Sequence, residues 1–84
     1  SPKPEDAVRA EAEAEAYLPD HLLGLIDEKR VFRPVEDIAL TYGRLLGRAG
    51  EKHLRAALKG LHDEGRIEGF GPGTVRTKEL RPTA

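Results

Sequence analysis

The sequence predicts a mostly α domain with a small β-hairpin: three core helices, an extra Glu/Ala-rich helix before them and the hairpin after. Three observations predict it. Apolar residues recur at helical spacing in three separate runs, around Leu18–Ile26, Val35–Leu46 and Leu54–Leu61. The runs are separated by proline, glycine and acidic residues that suit helix starts and stops. After the third run, the β-prone stretches "RIEGF" and "TVRT" bracket a Gly-Pro-Gly tip.

The opening "SPKPEDAVRAEAEAEAY" alternates Glu with Ala, a period of two. Both residue types favour helix over strand, so propensity outweighs the alternation and a helix is expected from about Glu5 to Tyr17, with Val8, Ala12 and Tyr17 to bury. The abrupt start reads as a module excised from a larger protein. Pro19 and Asp20 then suit the first turn of a new helix, because proline has no amide to leave unpaired there and a carboxylate complements the positive end. That helix carries Leu18, Leu22, Leu25 and Ile26 on one face and ends at the cations Lys29 and Arg30. "VFR" reads as a very short strand, with Arg33 held extended by the following proline.

Pro34 opens the second helix, with Glu36 and Asp37 in its first turn. Val35, Ile38, Ala39, Tyr42, Leu45 and Leu46 form one helical stripe, which predicts a continuous helix through Gly43. "GRAG" at 47–50 is a tight turn. The third helix buries Leu54, Ala57, Leu58 and Leu61 and ends at Gly65, leaving Lys52, His53, Arg55 and Lys59 on its other face. In the hairpin, Ile67 and Val75 face inward, and the tail "KELRPTA" is expected to fray. The domain organisation is therefore a helical lead or linker at 1–17, the folded domain at 18–77 and a tail at 78–84.

A chain of 84 residues with no cysteine has room for one small core and no disulfide or thiolate chemistry. No apolar run approaches the roughly 18 residues of a membrane span. The expectation is a soluble protein with no membrane partner, the cytoplasm being the default compartment. The net charge of −1 hides a strong asymmetry. Residues 1–28 hold two basic against eight acidic residues, residues 29–60 eight basic against three acidic, and the remainder balances four against four. A local basic patch, rather than the total, decides whether a polyanion can bind.

The helix "VEDIALTYG" followed by "LRAALKGLHDEGRI", with its Leu-x-x-Leu-x-x-x-Gly-x-Ile ending, resembles the winged helix-turn-helix family over residues 18–77. The path from Ile38 to Gly65 is several residues longer than in compact members. The resemblance implies a double-stranded DNA-binding module, sequence-specific, with a recognition helix at about 51–64 in the major groove and a wing at about 66–77 on backbone or minor groove. Its setting would be transcription regulation, a replication or partition factor, or a DNA translocase. Residues matching that role are Lys52, His53 and Arg55 for base edges, Lys59 for phosphate, Arg44 and Arg48 for the flanking backbone and Arg76 in the wing. Arginine can bond both acceptors of guanine at once, and a helix fits the roughly 12 Å major groove.

Other chemistries find little support. His21, His53 and His62 have no metal-ligand spacing, so no metal is expected, and "GFGPGT" lacks the features of a nucleotide-binding loop, so no cofactor is expected either. Asp63 and Glu64 lie at a helix end without a cleft, and no enzymatic activity is expected. The competing function is a protein-interaction module without direct DNA contact, using the acidic first segment or the apolar wing residues Phe70 and Val75. A homodimer through the Glu/Ala helix, or other domains of a parent protein, would be further partners. Single-stranded nucleic acid is disfavoured by the scarcity of aromatic residues.

Overall fold

The computed structural model describes residues 3–73 and 78–84. Helix α1 (Pro4–Lys29) is followed by a 3₁₀ turn at Pro34–Glu36, helix α2 (Ile38–Tyr42), a second 3₁₀ turn at Gly43–Leu45, helix α3 (Glu51–Asp63) and strands β1 (Ile67–Glu68) and β2 (Arg81–Pro82). The fold is mostly helical with a small antiparallel sheet, as expected.

The two helices expected at 5–17 and from Pro19 onward are one. Pro4 occupies the first turn with Glu5 and Asp6, and the helix runs 26 residues, through Pro19. At about 1.5 Å per residue this is roughly 39 Å, so α1 sets the 41 Å long axis of the molecule. Pro19 removes one backbone hydrogen bond, at a cost of about 3 kcal/mol or more. Continuity prevails because Ala14, Leu18, Leu22, Leu25 and Ile26 lie on one buried stripe that crosses the proline. Fully burying a leucine is worth about 1.5–3 kcal/mol, and Leu18 and Leu22 flank Pro19 on both sides. Val8 and Ala12, expected to be covered, are exposed. Arg30 ends the helix at φ 69°, its amide bonded to the Ile26 carbonyl at 2.9 Å.

The second helix is interrupted twice, contrary to the continuous stripe expected from Val35 to Leu46. Asp37 leaves the helical region, and its carboxylate caps α2 by accepting from the Leu40 amide at 2.9 Å. Gly43 then stops α2 at φ 54°, and a β-carbon there would overlap the Tyr17 hydroxyl and stand 2.9 Å from His21 Nε2. The Tyr17 and His21 side chains fill the space a β-carbon would need, and φ there is positive, so glycine is favoured. Val35, Ile38 and Leu46 consequently face solvent, while Leu45 and Thr41 turn inward. The Thr41 hydroxyl finds acceptors in the Pro34 and Asp37 carbonyls, at 3.1 and 2.7 Å. His21 is half-buried between the Tyr17 hydroxyl (3.1 Å) and the Leu40 carbonyl (2.7 Å).

Helix α3 follows the expected pattern. Leu54, Ala57, Leu58 and Leu61 are buried, chiefly against α1. Its end is a Schellman turn: the Gly65 amide donates to the His62 carbonyl and the Arg66 amide to the Leu61 carbonyl, both at 2.9 Å, with Gly65 at φ 72°.

The hairpin closes differently from the expectation. β1 pairs with β2, Ile67 opposite Pro82 and Glu68 opposite Arg81, so the return strand comes from the segment expected to fray. Leu80 is fully buried. Its amide and carbonyl both bond to Phe32, at 2.8 and 2.9 Å, whereas Arg81 pairs with Glu68 on the opposite side. The 80–82 segment is thus flanked by Phe32 on one edge and β1 on the other; where a short strand is expected at "VFR", Phe32 forms a single isolated bridge to Leu80. The strand expected at "TVRT", with Val75, lies outside the described residues.

Candidate nucleic-acid interface

With Leu54, Ala57, Leu58 and Leu61 turned inward, the 100° step of the helix places Lys52 and Lys59 on the outward side of α3, and Arg55 and His62 on the flank next to the hairpin loop. Arg55 donates to the Gly73 carbonyl at 3.0 Å. The His62 ring lies 5.9 Å from the Phe70 ring, tilted against it, and the Lys78 ammonium donates to the Pro72 carbonyl. Loop residues 70–73 and 78 are therefore held against the same flank as Arg55. Lys52, Arg55, Lys59 and the loop form one continuous surface.

The remaining candidates are placed elsewhere. His53 turns back to cap its own helix, its Nδ1 accepting from the Gly50 amide at 3.0 Å, so it serves the start of α3 rather than a reading face. The Arg44 guanidinium lies 4.5 Å over the Tyr17 ring, and its amide donates to the Tyr17 hydroxyl. Arg48 pairs with Glu13 of α1 at 2.6 Å. These two cations sit beside α1, engaged by Tyr17 and Glu13. Arg76 lies outside the described residues.

Most of these cations already have acidic neighbours. Arg55 is 3.8 Å from Glu51 and Lys59 is 2.6 Å from Asp63, whose carboxyl is held below its ordinary range by the Lys59 hydrogen bond and then by that of His62. Such exposed pairs contribute only about 0.2–1 kcal/mol each. A phosphate oxygen can replace the carboxylate at little cost, so pairing does not disqualify the surface.

A second charged cluster went unread in the sequence. Glu79 takes the guanidinium groups of both Arg33 and Arg81. Burial pushes its carboxyl upward, but the two arginine charges and their hydrogen bonds outweigh this and hold it below the ordinary range. The one available signal was Leu80, a lone large apolar residue in an otherwise polar tail. Among the described residues no set of three His, Asp or Glu side chains could hold a metal ion, and no helix is long and apolar enough to cross a membrane.

No protein-family model, curated protein or solved structure matches the chain.

Proposed function

We propose that this chain is a winged helix-turn-helix module that binds double-stranded DNA, with α3 entering the major groove and the loop between β1 and β2 acting as the wing. The observation that carries the reading is the bond from Arg55 to the Gly73 carbonyl, which fixes the loop alongside the outward cations of α3. The order of elements supports it: helix, a bridge at Phe32, two helices, then a hairpin whose return strand lies between its partner and Phe32. In this role the Arg55 guanidinium keeps one N–H on the Gly73 carbonyl and turns its remaining N–H groups to a base edge, Lys52 and Lys59 hold phosphates, and Arg44 and Arg48 serve the flanking backbone. A regulator, a replication or partition factor or a translocase in the cytoplasm would use such a module.

The test is Arg55→Ala, assayed on a duplex selected from a random oligonucleotide pool and on its scrambled version. A bidentate arginine–guanine contact gives about 1–3 kcal/mol of discrimination, roughly 5- to 150-fold. Losing that ratio while keeping weak, salt-sensitive binding supports the assignment. Full discrimination in the variant would reject it.

A second reading rests on Val31, Val35 and Ile38, each 44–45% exposed around the first 3₁₀ turn. Apolar exposure of this kind suits a protein-interaction module. That reading predicts no duplex binding at all and an apolar partner on this end of the molecule.

A further inference from the structure

On the flank of α3 away from the hairpin loop, a trench of about 470 Å³ runs between α1 and α3. It lies within the size range of ligand-binding clefts, roughly 300–1,000 Å³. It exists because the facing residues are small: Ala14 on α1, and Ala56, Ala57 and Gly60 on α3. We propose that this trench docks an amphipathic helix of a partner protein, one that presents an apolar side chain flanked by lysine or arginine.

Two further features specify that occupant. Gly60 sits mid-helix in ordinary helical backbone, and a β-carbon on it would meet nothing within 4 Å. Neither strain nor internal packing requires glycine there, although it is among the poorest helix formers. What it does is keep the trench wall open. The second feature is charge. Glu11, Glu15 and Glu64 line the trench against the single lining cation Lys52, with Arg66 3.7 Å from Glu64, while His53 is committed to its capping bond. Glu11 and Glu15 have no ionic or hydrogen-bonding partner among the described residues. An apolar floor with an acidic rim selects a basic amphipathic segment and repels nucleic acid.

A second copy fits less well. The exposed Val8 lies among Glu5, Asp6, Arg9 and Glu11, and with Arg9 taken by Asp6, pairing through α1 would still oppose Glu5 and Glu11 of each copy.

The experiment is selection of helical peptides from a phage-displayed library on the intact chain, followed by fluorescence anisotropy with the enriched peptides. Enriched peptides should carry an apolar residue flanked by Lys or Arg. Gly60→Leu, which fills the trench, and the double variant Glu11→Gln/Glu15→Gln should each weaken binding at least tenfold. Gly60→Ala should raise the urea midpoint while weakening the peptide, an outcome that loss of folding cannot mimic. Enrichment of acidic peptides, or affinity unchanged in Gly60→Leu, would overturn the proposal. Self-association in sedimentation that disappears in Gly60→Leu would also overturn it and assign the trench to a second copy.

Discussion

Replacing Gly69 with alanine tests the closure of the hairpin at a single point. Gly69 is at φ 97°, a region that costs other residues about 1–3 kcal/mol. Its β-carbon would also overlap the Glu79 carbonyl oxygen and stand 3.0 Å from the carbonyl carbon. Backbone cannot swing aside as a side chain can, so relief requires shifting the return strand, at about 1–3 kcal/mol for an overpacked site. Together the two effects predict a loss of roughly 2–6 kcal/mol. Gly65→Ala is the matched control, because Gly65 is also at positive φ, 72°, but a β-carbon there meets nothing within 4 Å. It should lose only about 1–2 kcal/mol. Urea denaturation followed by circular dichroism measures both. Equal losses in the two variants would refute the pairing of 67–68 with 81–82.

Leu58→Ala should destabilise by about 2–5 kcal/mol in the same assay, since Leu58 is fully buried at the centre of the α3 stripe; a loss below about 1 kcal/mol would mean the wrong face of α3 is inward. Arg30→Gly should stabilise by about 1 kcal/mol, because Arg30 adopts φ 69° without the freedom of glycine. Acid should destabilise through Glu79: its folded carboxyl lies below the ordinary value, so its contribution is complete above the ordinary carboxylate range and is lost as pH falls through the folded value. Urea midpoints between pH 7 and pH 3 should therefore fall less steeply in Glu79→Gln than in the parent chain. An unchanged slope would show that the Arg33–Glu79–Arg81 cluster contributes nothing.

Where local pattern and tertiary packing agree, the sequence is legible. The α3 stripe, its glycine stop and the turn at 47–50 depend on residues near one another in the chain. The misreadings share a different cause. Pro19 marks a helix start by every local rule, yet a buried stripe extending on both sides of it carries α1 through. Gly43 ends α2 at positive φ, and the Tyr17 and His21 side chains, more than 20 residues earlier, occupy the space a β-carbon would need there. Leu80 has no periodic neighbours, and only the open edge of Phe32 gives it a place. The site divides in the same way. Lys52, Arg55 and Lys59 follow from the α3 wheel, whereas the capping role of His53 and the engagement of Arg44 and Arg48 by α1 depend on contacts with other parts of the chain. Lys78, which anchors the loop at Pro72, belonged to the segment expected to fray.

The measurement that bears most directly on the proposed function is the affinity of the intact chain for random-sequence duplex DNA across salt concentrations, read by fluorescence anisotropy. Each phosphate neutralised releases counterions and contributes about −0.9 to the slope of log affinity against log salt. With Lys52, Lys59, Arg44 and Arg48 exchanging their present partners for phosphate, four contacts at about −0.9 each, the expected slope is about −3.6. In the Lys52→Ala/Lys59→Ala double variant it should flatten by about 2. A slope near zero, or one that the double variant leaves unchanged, would contradict the account.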